Sequence, residues 1–307
     1  MLSLAQQLLN AKADLPTSLG TAELRQLGAN ILRQSLFSAR MTNATAVQAV
    51  REAVTRILTA VGDGTSTDNL AEARWKLKQL GQALNYDPAK GFPGEAEVPA
   101  AEAGSLRDIF STDRLNLILK TNELMLHGAA KNIWGNEAEA REQYPAWELV
   151  RVAAVEVPRG MIRRGKGLIP VAENAWDTAN GRWQAAASAA GDEEALKIFE
   201  ATERMVARKD SDVWQQLGEG AGGYEDTLGN DYEPFAYNSG MGRVEVSAKE
   251  FADLGGDASG VEPAQTEFGP EKVAIRQDRF DPDILKTFIK GLESGDIKYR
   301  VRVEVIK

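Results

Sequence analysis

The chain has 307 residues, 43% of them apolar and 26% charged, and a formal charge of −9; this is enough apolar surface for one large or two modest globular domains, and the acidic balance argues against gripping nucleic acid over the whole surface. With no cysteine there is no disulfide, thiolate metal site or thiol nucleophile, and any triad or histidine-rich metal site would have to pass through His127, the single histidine. No stretch reaches the ~18 consecutive apolar residues of a membrane span.

From the N-terminus, MLSLAQQLLN lacks the basic flank and long apolar core of a signal peptide and is expected to open an amphipathic helix. Leu24, Leu27, Ile31 and Leu32 recur at helical spacing behind a plausible N-cap, Thr21. Val47, Val50, Val54, Ile57, Leu58 and Val61 make a second apolar stripe. GDGTSTDN interrupts it, and Leu70, Leu77, Leu80 and Leu84 resume the pattern. Short connections between such stripes predict a small antiparallel bundle over 1–86. Residues 87–105 are rich in proline and glycine without periodicity and are expected to be a linker to a mixed domain over 106–307.

The most regular helix follows, with Ser111 or Thr112 as cap and Gly135 as stop. Leu115, Ile118, Leu119, Met125 and Leu126 share one face; Asn116, Lys120, Glu123, His127 and Lys131 share the other. WELVRVAAVEV, between Pro145 and Pro158, predicts a largely buried strand. EALKIFEATERMVARK and SDVWQQLG predict short helices, 219–280 reads as turn-rich, and RVEVSAKEFADLG predicts a strand leading into a helix. The last 27 residues read as helix, turn and an alternating strand. The expected fold class is therefore α+β, a helical N-terminal bundle followed by a mixed domain with a small β-sheet.

The chemistry-bearing candidates are few. Glu123 and His127 are four apart on one helix face, which reads better as an exposed pair than as two metal ligands. GxSxG, HExxH and Walker patterns are absent, and GEGAGG (218–223) reads as a loop rather than a phosphate cradle. Glu225, Asp226, Asp231 and Glu233 gather near glycines without the spacing of a calcium loop. Arg159, Arg163, Arg164 and Lys166 form a basic stretch that could contact DNA, although no aromatic residue is interleaved with it. Tyr232, Phe235, Tyr237 and Met241 crowd one short segment, either a partner-facing anchor or a loop pinned to the core by its rings, with Asn238, Ser239 and Gly240 as a turn.

Taken together, RLNLILKTNELMLHGAAKNIWG, YPAWELVRV and LGNDYEPFAYNSGMGRVEV resemble a group of prophage-encoded head-morphogenesis proteins similar to the Mu-type minor head protein family. The resemblance covers about 105–250. The family's helix carries an Arg-Thr-Glu core, where Lys120, Thr121 and Asn122 stand here, and its tryptophan-bearing strand is matched at Trp147. Its proline, histidine and Cys-Arg-Cys ending corresponds to EPFAYNSGMGR, which has neither histidine nor cysteine, so no metal or redox role carries over. The resemblance implies a non-enzymatic structural protein of a phage or prophage virion, acting in head assembly through portal or capsid proteins or as a homo-oligomer. It would be found in the virion, and in the host cytoplasm during assembly. It implies no cofactor, and Arg114, Lys120, Thr121, Asn122, Trp147, Phe235, Tyr237 and Asn238 as structural or interaction residues, Thr121 and Asn122 bonding the aromatic loop. The alternatives are a toxin- or transferase-type enzyme using Glu123, His127, Asp226 and Glu233, and a DNA-contacting packaging factor using the basic stretch.

Overall fold

A capping box starts the first helix of the computed structural model. Ser3 Oγ accepts from the Gln6 N–H at 3.3 Å, and the Gln6 side chain accepts from the Ser3 N–H at 2.7 Å. The structure describes residues 3–26, 35–61, 66–95, 97–152, 161–164, 167–170, 178–237, 239–262, 272–276 and 302–306.

In chain order the elements are α1 (Leu4–Ala11), β1 (Ala13–Asp14), α2 (Thr21–Gln26), β2 (Ser35–Leu36), α3 (Ala44–Val61), α4 (Ser66–Ala83), α5 (Thr112–Gly135) and α6 (Ala138–Gln143). Then come β3 (Ala146–Arg151), β4 (Met161–Arg164), β5 (Gly167–Pro170), α7 (Thr178–Ala190) and α8 (Glu193–Thr202). The chain continues through β6 (Val206–Arg208), α9 (Val213–Glu219), β7 (Met241–Val246), α10 (Ala248–Asp253), β8 (Lys272–Arg276) and β9 (Arg302–Ile306). The fold class is α+β: among the described residues helices predominate, and the three-stranded sheet is antiparallel.

Two compact units divide at 127/128 and 267/268. The first holds residues 1–127 and 268–307. Its stripe is buried as the spacing requires: Val47, Val50, Val54, Ile57 and Leu58 are all in the core. Arg51 ties α3 to the segment after α1, donating to the carbonyls of Leu9 and Lys12 and pairing with Asp14 at 2.5 Å. Leu27, Ile31 and Leu32 lie outside the described residues. Outside the expected bundle, β1 and β2 form a short parallel pair; β9 lies in the alternating strand expected at the end of the chain and pairs in parallel with β8. The expected linker, 87–105, falls inside this unit. Phe92 is buried with its ring centroid 5.0 Å from that of Tyr86 and 6.0 Å from that of Phe110, so aromatic packing fixes the segment despite its prolines and glycines.

The second unit, 128–267, is built on the sheet β6–β3–β7. Trp147 pairs with Ala207 on one side and Glu245 on the other, and Leu149 pairs with Arg243. Directly opposed residues share a face, and alternation puts Trp147, Leu149, Ala207, Arg243 and Glu245 on the same one. Trp183, Ala186 and Ala187 of α7, Ala195 and Phe199 of α8, and Val213, Trp214 and Leu217 of α9 pack with Trp147 and Leu149 in this core. The other face carries Ala146, Val206 and Val246 against Ile198 and Phe251.

Two expectations are corrected in this unit. The stretch 194–209 is not all helix: α8 stops at Glu203, whose left-handed backbone (φ 59°) ends the turn, and Val206 and Ala207 continue as buried strand. The expected basic loop contains an antiparallel hairpin, β4 with β5. Helix α7, unforeseen in the alanine-rich sequence, supplies part of the core.

Candidate functional site

The aromatic loop and the end of α5 meet around one fully buried cation. Arg243 sits on β7, an inward position of a half-buried strand where an apolar side chain would be the rule. Its Nε donates to Glu233 Oε2 at 2.7 Å. Its Nη1 donates to Asn132 Oδ1 at 3.0 Å and to the Asp231 carbonyl at 3.4 Å. Nη2 has no hydrogen-bond partner, but the guanidinium carbon lies 3.6 Å from the centre of the Trp147 ring. A desolvated cation on an indole face gains about 2 kcal/mol, which partly offsets the cost of burial.

A second cation flanks the same indole. Lys209, also fully buried, has Nζ 5.2 Å from the Trp147 ring and 2.7 Å from both Glu245 Oε2 and the Gly135 carbonyl. It thus satisfies the last carbonyl of α5, the end of the helix dipole that favours positive charge. Burial pushes the Lys209 ammonium below its ordinary pKa, with Glu245 opposing the shift.

Glu233 joins the elements electrostatically. Lys131 Nζ is 3.3 Å from Glu233 Oε1 and also donates to the Arg243 carbonyl. Burial alone would raise the Glu233 carboxyl, but Arg243 and Lys131 outweigh it and hold the group below the usual carboxylate range. The peptide bond from Glu233 to Pro234 is cis. Beyond it, Phe235 is buried and stacks on Trp214, centroids 6.1 Å apart, and the Leu228 N–H donates to the Phe235 carbonyl. The rings therefore pin the loop inward, Tyr232 being buried as well.

Gly128 makes this approach possible. A Cβ there would stand 1.8 Å from the Glu233 carbonyl oxygen, on backbone that cannot swing aside. Helix propensity alone predicts that Gly128→Ala stabilises by about 1 kcal/mol. The contact reverses the sign: a loss of about 1–3 kcal/mol is expected in urea unfolding. A gain would show that the helix does not touch the loop. Gly218, the first glycine of GEGAGG, does the same for α9, where a Cβ would come within 1.7 Å of the Asn230 carbonyl oxygen.

Of the residues singled out in the sequence, Trp147 and Phe235 belong to this centre. Tyr237 is half-buried and donates its N–H to the Asp226 carbonyl; Asn238 lies outside the described residues. Thr121 is half-buried, and Asn122 donates its amide to Ile118 of its own helix at 2.9 Å; the helix instead reaches the loop through Lys131, which pairs with Glu233, while Asn132 accepts from Arg243 of β7. Lys120 is exposed. Arg114 donates to Ser38 Oγ at 2.9 Å in the first unit. Arg159 and Lys166 lie outside the described residues, and of Arg163 and Arg164 only the backbone, in β4, is described.

The candidate acidic groups are separately engaged. Asp226 pairs with Arg182 at 2.5 Å, and the Arg182 guanidinium lies 4.1 Å from the Tyr224 ring centre; Glu233 pairs with Arg243 and Lys131. Burial raises the Glu123 carboxyl, with His127 and Lys120 opposing. Among the described residues no three His, Asp or Glu groups are placed to hold a metal ion, and no helix is long and apolar enough to cross a membrane.

Sequence reasoning missed Arg243, Asn132, Lys131 as a loop anchor, Lys209 and Glu245. The available signal was alternation: in GRVEV the charged residues fall on the face that Trp147 shares. No family model, curated protein or solved structure matches the chain.

Proposed function

We propose that this chain is a structural component of a phage or prophage particle, acting in head assembly through contacts with other virion proteins. The observation that carries the reading is how the polar groups of the segment resembling head-morphogenesis proteins are used. Lys131, Asn132, Glu233 and Arg243 bind one another and join a helix end, a loop and a strand. Such a centre fixes the shape of a module whose outer surface makes the contacts. An enzyme of toxin or transferase type would instead gather titratable groups around an open cleft. In this unit Asp226 and Glu233 are held by different guanidinium groups.

Mass spectrometry of purified particles, with the genes beside this one read for portal and capsid proteins, tests the proposal. Stoichiometric presence in particles or their precursors is the expected result. Absence from both, with no head gene nearby, would overturn it.

A further inference from the structure

After α10 a short strap, 257–262, is the last described stretch of the second unit. Its side chains do little to hold it. Asp257, Ser259, Gly260 and Glu262 are exposed, and Ala258 packs against the cluster of Ala146, Ile198, Val206, Val246 and Phe251. The main chain is gripped instead, and one ion pair makes most of the bonds.

Arg208, on β6, pairs with Asp210 through Nε to Oδ1 and Nη2 to Oδ2, both at 2.9 Å. This fixes the guanidinium fork, whose remaining N–H groups donate to the carbonyls of Asp257 (3.2 Å), Ser259 (3.0 Å) and Gly260 (3.2 Å). Asp210 Oδ2 in turn accepts from the Glu262 N–H at 2.9 Å. The pair thus offers the strap both donors and an acceptor. Two further side chains add one bond each: Glu194 Oε2 accepts from the Asp257 N–H at 2.8 Å, and Arg141 donates to the Val261 carbonyl at 2.8 Å. Bonds of this kind at a wet surface are individually weak.

The strap also has a built-in pivot. Gly255 is left-handed (φ 88°), and a Cβ on Gly256 would stand 2.4 Å from the Phe251 ring. Two adjacent glycines can take up a large change of backbone direction with little steric cost.

We infer that 257–262 is a latch. Hinged at Gly255–Gly256 and closed by the Arg208–Asp210 pair, it opens as one piece while the sheet and its helices stay folded. Opening uncovers the cluster where Ala258 packs and frees 255–262 as tether, about 26 Å when extended. The inference does not depend on the proposed virion role.

Hydrogen exchange of the intact chain, read amide by amide, tests it. The Asp257, Ser259 and Glu262 amides donate to Glu194, Asp257 and Asp210 side chains, none of them to Arg208. Arg208→Ala is nonetheless expected to speed exchange at all three by at least about fivefold, because they open together. The Leu149 amide of β3, which donates to the Met205 carbonyl, should keep its wild-type rate. Glu194→Ala leaves β6 intact and so tests the latch even if Arg208→Ala fails to fold. It removes only the Asp257 bond, yet should also speed Ser259 and Glu262. A smaller effect of Arg208→Ala, acceleration confined to the amide whose own bond is lost, or equal acceleration at Leu149 would overturn the inference.

Discussion

Arg243→Ala is expected to destabilise the second unit by about 3–5 kcal/mol, because removing one partner of a buried ion pair leaves the other charged and unmatched. Glu233 would keep only Lys131. Asn132 would lose the guanidinium its oxygen accepts from, and Trp147 the cation 3.6 Å from its ring centre. Arg243→Lys should recover little of this, since an ammonium cannot reach Glu233, Asn132 and the Asp231 carbonyl with one fixed fork. Urea unfolding followed by tryptophan fluorescence gives the value. A loss below about 1 kcal/mol for Arg243→Ala would mean that the pair is solvated as surface pairs are.

The same pair fixes a pH dependence. Glu233 has a lower pKa folded than unfolded. Its stabilising contribution is therefore present above the ordinary carboxylate range and is lost as pH falls through the folded value. Glu233→Gln should be less stable than wild type at neutral pH, with the gap narrowing below about pH 4 as the wild-type carboxyl takes up its proton.

Trp214→Ala should cost a comparable amount, about 3–5 kcal/mol, through a cavity rather than a charge. Trp214 stands between Trp147, Trp183 and Phe235, with ring centroids 5.9, 5.6 and 6.1 Å away. Its Nε1 donates to the half-buried Arg208 carbonyl at 2.8 Å, so truncation also removes one of that carbonyl's donors, the Ser211 N–H remaining. Trp214→Phe keeps most of the volume and loses only that bond, and should cost less than half as much. Thermal unfolding monitored by near-UV circular dichroism distinguishes the two. Equal losses for alanine and phenylalanine would put the energy in the hydrogen bond instead of the packing.

These residues differ in how far the sequence announced them. The stripe Val47, Val50, Val54, Ile57 and Leu58 announced a helix and its buried face, since one residue type recurring at one period has one cheap solution. Trp147 announced itself as an aromatic in an apolar run. Val206 and Ala207 did not: a helical pattern runs into them, and the left-handed residue that separates α8 from β6, Glu203, has no glycine signature. The linker expectation at 87–105 met a related limit, because proline and glycine mark turns whether or not Phe92 anchors them to a core.

The candidate site was legible only in part. An aromatic loop opposite a polar helix could be suspected from PFAYNSG and the spacing on α5, but not which turn of that helix would meet it. Asn122 and Asn132 are the same residue type ten positions apart, and only the latter reaches Arg243.

The amino-acid order by itself determined the α+β class, the long helices, the inward faces of the periodic segments and the absence of thiol chemistry, because those follow from local period and residue inventory. Which charged side chains would be buried was decided by tertiary structure alone. Burial of Arg243, Lys209 and Glu233 becomes tolerable only when partners as distant in sequence as Asn132, Gly135 and Trp147 arrive together, and no window of local sequence contains that coincidence.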